Sequence, residues 1–343
     1  MQIAETMNSR CRMVSVKNDE GLEVTLCDFG ASIYEIRLLG MPMTIACKDF
    51  DQWMNSRSYF GKTVGRIAGR VKDSKIKIGD KEYQLDANEG KNSLHSGKDA
   101  LCFKPWIYDI HETKRGAVVD FYYHLEDGEE GLPGEQTINV RYTIHRKKNI
   151  LDVKIIAGKP SKDTYTRLTV HPYFNLGGYL TVKDHDFTLD ADRVSLFDEG
   201  CVATDFVPVP PYLDFRKTVY LGKALSNEVL NKLPTKGLDH VFIRTGADNA
   251  DYRKDRSLMK KPIAILDSRC ANLQIFTTFP AITCYADNFP GGGMLTNGNE
   301  EEKYSGLALE PRFDDLDVVQ PGAFQKKGRL QINRISYVFD CNL

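Results

Sequence analysis

Apolar and polar residues alternate with a period of two along most of this chain, and that pattern leaves few folds open. "LEVTLCDFGASIYEIRLLG" (22–40) reads as two strands broken near Gly30. "KIKIGDKEYQLD" (75–86) reads as a hairpin, with Ile76 and Ile78 answered by Tyr83 and Leu85 across Gly79-Asp80. "AVVDFYYHLE", "QTINVRYTIH" and "ILDVKIIAG" give three successive strands between turns of Gly, Asp, Asn and Lys. "NLQIFTTF", "AITCYAD" and "RISYVFD" follow. Helical periodicity is weak, with "LSNEVLNKL" (225–233) the best candidate and Ser226 or Asn227 available as its cap. No linker, low-complexity tract or repeat divides the chain. The expectation is all-β: one large antiparallel domain over residues 1–343, folded as a twisted sandwich, because so many strands exceed what one open sheet carries.

Composition limits the function classes. Hydrophobic residues make up 41% and charged residues 27%, which suits a globule with a real core. The net charge of −1 gives no excess for nucleic acid or an anionic membrane, so neither is expected as a partner. The basic stretch "YRKDRSLMKK" (252–261) reads as a solvated loop. "MQIAETMNSRCRMVSV" has no apolar core of a signal peptide, and no run nears the roughly 20 residues that span a bilayer. The expected location is cytoplasmic. The 8 cysteines are scattered, with no CxxC and no zinc spacing, so reduced and mostly buried thiols are expected and no metal.

No GxGxxG opening a helix, Walker loop, HExxH or GxSxG is present, and no cofactor is expected. A scattered polar set remains. His171 stands where the strand "RLTV" breaks into "HPYFNLGG", and His95 lies among turn formers in "NSLHSG". Asp239 and His240 precede a strand in "KGLDHVFI", Arg70 ends "GRIAGR", and Phe279 ends "TTF" before Pro280. Glu310 follows Leu307, Ala308 and Leu309, and a carboxylate after an apolar run needs a partner if buried. Arg70 or Arg66 could be that partner in a purely structural role, and either histidine could be a satisfied core residue. Together the set suggests acid–base chemistry on a neutral polar ligand. Arg and Asp would hold hydroxyls and an aromatic ring would cover an apolar face, a mixture that sugars present.

These stretches resemble the aldose 1-epimerase family over almost the full length and in order. "YFGKTVGRIAGRV" is similar to the family's "GRxANR" segment, "LDANEGKNSLHSG" to its "LHGG" segment, and "DGEEGLPGEQ" to its "GEEGFPG" hairpin. "HPYFNLGG" resembles the histidine motif, and "PYLDFR", "LDHVF", "TTFPAITCYADNF" and "LALEPRFDDLDVVQP" complete the series. The resemblance implies a mutarotase-type supersandwich that interconverts the α and β anomers of a free aldohexose, such as galactose or glucose, without a cofactor. By the same resemblance Glu310 is the base, His171 the acid, and His95 a second histidine on the ring-oxygen side. Arg70 and Asp239 match hydroxyl-binding positions, and Phe279 a position in the sugar pocket. There are departures: Gly69 stands for the family's Asn, Phe279 for its Gln and Ser96 for its first Gly. A relative specialised for a phosphorylated hexose or a disaccharide, or a non-catalytic sugar-binding protein, are the alternatives. The oligomeric state is left open.

Overall fold

The computed structural model describes residues 1–247, 256–314 and 324–342. The expected strands fall into two large sheets. Nine strands form the first, in the order Ile107–Glu112, Gly116–Leu125, Gln136–His145, Ile150–Ala157, Gln331–Cys341, Ala271–Thr277, Ala264–Asp267, Asp186–Leu189 and Val219–Tyr220. Seven form the second: Ala203–Pro208, Ala191–Phe197, Asp239–Arg244, Ala281–Tyr285, Leu307–Arg312, Tyr173–Phe174 and Thr44–Ile45. Neighbours in both sheets pair antiparallel. A five-stranded sheet built from residues 2–42 flanks them.

Alternation decides what each face touches. In Ile150–Ala157 the buried positions are Leu151, Val153, Ile155 and Ala157. These inward residues, with Val119, Phe121 and Val140, share one core with Phe242, Ile282, Leu307 and Leu309 of the second sheet. Val24 and Ile36 of the flanking sheet enter the same core. The architecture is therefore the expected antiparallel sandwich. The hairpin also forms, with Tyr83 opposite Ile76, and Leu85 packs in a small cluster with Ile78.

The helix expected over 225–233 is two short ones, Leu221–Leu225 and Glu228–Lys232. Asn227 interrupts it, because its side chain accepts from the N–H groups of Val229 and Leu230 and so caps a new start. A helix not foreseen, Phe50–Asn55, is capped by Asp49 and buries Phe50, Trp53 and Met54. Of the polar loop 246–261, residues 248–255 lie outside the described residues; Arg256–Lys260 forms a 3-10 turn. Five of the eight cysteines are buried, whereas Cys201, Cys270 and Cys341 are half-buried. No helix among the described residues is long and apolar enough to cross a membrane.

Two histidines serve the fold itself. Nε2 of His185 accepts the Leu176 N–H at 2.9 Å, and Nδ1 of His240 accepts the Asp239 N–H at 3.2 Å. Burial lowers each to about 4. An unfolded histidine titrates near 6.5, so between pH 6.5 and 4 the unfolded chain takes up protons that the fold refuses. Their contribution is complete above pH 6.5 and is lost as the pH falls toward 4, about 3 kcal/mol for each. Denaturant midpoints at pH 7 and pH 5 should therefore differ less in His185→Gln than in the parent chain. Equal differences would mean that His185 takes up its proton in the fold as readily as in the unfolded chain.

Candidate active site

Strand register builds the site. Along Leu307–Arg312, Leu307 and Leu309 point into the shared core, so Glu310 and Arg312 face the other way. The neighbouring strands obey the same rule: Asp239 and Val241 on one, Thr283 and Tyr285 on the next, with Val241 opposite Thr283 and Thr283 opposite Glu310. All six of these residues line one cavity of about 720 Å³, a size suited to a small molecule.

The break after "RLTV" has a structural cause. Thr169–Val170 pairs with Thr63–Val64, and His171 continues that contact through its N–H to the Lys62 carbonyl. Pro172 has no N–H to offer a ladder. The chain then joins the seven-stranded sheet, with Tyr173 opposite Ala308 and Phe174 opposite Leu307. Two residues back from Tyr173 is His171, and two on from Ala308 is Glu310. The register thus sets them side by side, His171 Nε2 lying 3.2 Å from Glu310 Oε1. Tyr173 stacks on the imidazole at 5.1 Å and 28°. Phe174 instead turns into the core.

His95 completes the group. It sits in a left-handed turn, φ 51°, and is clamped to Gly69 by two bonds. Its N–H donates to the Gly69 carbonyl, and its Nδ1 accepts the Gly69 N–H at 3.1 Å. Tyr59 packs edge-on against it at 4.7 Å, and His171 at 5.4 Å. Glu310, His171 and His95 are only 2%, 4% and 6% exposed, so charge on any of them is felt strongly by the others. Burial lowers His171 to about 4; the Asp239 carboxylate opposes the fall and the Arg312 guanidinium adds to it. Burial also pushes His95 well below its usual value, with His171, Arg312 and Arg70 adding to the effect.

Arg70 does not partner Glu310. It grips Glu89 with two bonds, 2.6 and 3.1 Å, and reaches Asp239 Oδ2 at 3.2 Å. Burial works to lower this guanidinium, but Asp239 and Glu89 outweigh it and hold it raised. Glu89 escaped sequence reasoning because its segment, "NEGKN", looks like any polar turn. Arg66 has a different task. Its buried guanidinium donates to the carbonyls of Pro133 and Gly134 and to Thr164 Oγ1, and so ties down the loop 129–134.

Phe279 is a correction. It is wholly buried in the shared core, edge-on to Phe313 at 5.3 Å, and is not among the residues lining the cavity. The aromatic walls are Tyr59, Tyr173, Phe197, Tyr285 and Phe289. Of these, Tyr285 was legible: it lies two positions from Thr283 on a strand whose period is known.

Among the described residues two clusters gather metal-type donors within 4.8 Å: His95, His171 and Glu310, and Cys11, Cys27 and Asp28. In the first, the Gly69 N–H occupies the lone pair of His95 Nδ1, so the neutral ring carries its hydrogen on Nε2. It faces its neighbours as a donor and not as a ligand. In the second, burial raises the Cys27 thiol, whereas the hydrogen bond between the two thiols lowers Cys11.

A sheet whose polar face carries a buried carboxylate–imidazole pair is a frame for proton transfer on a small, oxygen-rich molecule. Comparison with known proteins gives that class its family. The aldose 1-epimerase family profile matches residues 12–328. Galactose mutarotase of Homo sapiens is 33% identical over 80% of this chain and 78% of its own. Aldose 1-epimerase of Haemophilus influenzae is 29% identical over 87% and 85%. The crystal structure of galactose 1-epimerase from Lactobacillus acidophilus superposes with a TM-score of 0.86 at 26% identity, covering 100% of this chain and 99% of that one. This chain belongs to the aldose 1-epimerase family. It is an isomerase that interconverts the anomers of an aldose.

Nitrogen-15 shifts of His95 should report an Nε2–H tautomer from pH 5 to 8. A ring protonated on Nδ1 would mean that the Gly69 bond is not formed.

Proposed function

We propose that this chain acts on a free aldohexose, galactose or glucose, with Glu310 as base and His171 as acid. The observation that carries the reading is the 3.2 Å approach of these two buried groups inside the cavity. The hydroxyl and ring oxygens of the anomeric centre are bonded to the same carbon, so the groups that act on them must converge. Ionised Glu310 takes the proton of the C1 hydroxyl while protonated His171 delivers one to the ring oxygen. The ring opens to an aldehyde, C1 turns about the C1–C2 bond, and closure from the other face returns both protons. Each group is worth about 10²–10⁴ in rate. Burial works against the imidazolium and the facing carboxylate works for it. The step needs one proton on the pair, on His171 before the ring opens and on Glu310 after it.

His95 enters as a neutral donor from Nε2, toward the ring-oxygen side. Arg70 and Asp239, locked to each other and Glu89, present fixed polar atoms to the hydroxyls. Tyr285, Phe197 and Phe289 take the apolar contact first assigned to Phe279. The phosphorylated-hexose alternative needs a cationic wall, but the cavity sets Arg57, Arg70 and Arg312 among Asp51, Glu89, Asp239 and Glu310. We take residues 1–343 as one unit, since a single core draws on residues from Val14 to Phe339. We place it in the cytoplasm on its unpaired cysteines.

Polarimetry on freshly dissolved α-D-galactose and α-D-glucose tests this directly, with the uncatalysed rate subtracted. The optical rotation should decay faster to an unchanged endpoint. Glu310→Gln should lower kcat by at least about a hundredfold with its melting temperature little changed, and His171→Asn should lose orders of magnitude. Near-normal rates in either variant would remove that residue from the chemistry.

A further inference from the structure

Gly69 and Arg312 occupy one space. Gly69 has φ +91°, and a Cβ built on it would lie 2.2 Å from Arg312 Nη2 and 2.3 Å from Nη1. The guanidinium fills the volume that a side chain at position 69 would take. It is held there by bonds from Nε to the Phe313 carbonyl at 3.1 Å and from Nη2 to the Ala68 carbonyl, with Nη1 3.4 Å from Thr283 Oγ1. Only 5% of Arg312 is exposed, yet it lines the cavity beside Glu310, His171 and His95. Strand period explains the direction: Arg312 stands two residues beyond Glu310 and shares its face. Its charge reaches both imidazoles.

We propose that Arg312, admitted to the cavity wall by the missing side chain of Gly69, is a specificity-determining residue that donates to one hydroxyl of the bound sugar. The proposal rests on the anomer-exchange reading of this cavity and adds a contact to it. A guanidinium is a planar donor with no acceptor capacity, so it selects for an oxygen at one place on the ring. A site built to bond a hydroxyl discriminates against the analogue lacking it, because its own polar group is left without that partner. Lysine is a poor substitute, since its point charge cannot lie flat over Gly69 while keeping the bonds to two carbonyls.

The test is kcat/KM for D-galactose and its 2-, 3-, 4- and 6-deoxy analogues, all of which keep the anomeric hydroxyl, in the parent chain, Arg312→Gln and Arg312→Lys. One analogue should be at least about tenfold worse than galactose in the parent, and in both variants that ratio should fall toward one. Arg312→Gln should raise KM for galactose more than it lowers kcat. A purely structural Arg312 would lower all five substrates by a common factor and leave every ratio unchanged, which overturns the proposal. Gly69→Ala gives an independent arm: by displacing the guanidinium it should erase the same ratio and no other. If the parent chain were inactive on every sugar, the function reading would fail. Calorimetric affinities for the same panel would still judge Arg312 by the same ratio.

Discussion

The site depends on the register of one strand. Leu307–Arg312 lies in the interior of its sheet, with the core on one face and the cavity on the other. A slip of one residue would send Glu310 and Arg312 into the hydrocarbon and bring Leu309 to the ligand. Register is pinned twice, by the long pairing with Ala281–Tyr285 and by the two-residue contact with Tyr173–Phe174. The second contact also delivers His171, so one hydrogen-bond pattern both stabilises the sheet and sets the distance between His171 and Glu310.

Buried charge is costly, and this molecule offsets it by fixed partners. Arg70 is held by two carboxylates, Arg66 by a ring of carbonyls, and Arg312 by the carbonyls of Ala68 and Phe313. Lys62 donates to the Met54 carbonyl with its ammonium over the Phe103 ring, and burial lowers it to about 8. Each group is held by protein partners in one orientation. Of these, Arg70 and Arg312 line the cavity, so two of its dipoles are already placed, and preorganised groups of that kind stabilise charge that appears only during reaction.

Much of this was legible beforehand, and the limits are physical. Period two announced the sandwich, because a strand with one wet and one dry face advertises both. Glu310 stood out because an acid among leucines is an anomaly. His171 stood out because a strand does not end on proline and two aromatics by chance. Glu89 and Arg312 gave no such signal, since a charged residue in a turn or after a proline looks ordinary until the chain folds over it. Phe279 misled because position in a motif does not fix direction. Its side chain turned inward to meet Phe313, and neither composition nor spacing reveals which way a residue just past a strand end will point. The divided helix failed for a similar local reason, the competing bonds of Asn227.

His171 and Glu310 are brought together by only two rungs of ladder, although more than a hundred residues separate them along the chain. Neither half of the polypeptide can assemble the pair alone. Pairings between residues far apart in sequence slow the folding of β-rich proteins. Optical rotation of a sugar solution is thus also a clock for the chain itself. As a denatured sample renatures, the onset of turnover marks a moment by which Tyr173 and Ala308 have met across their ladder.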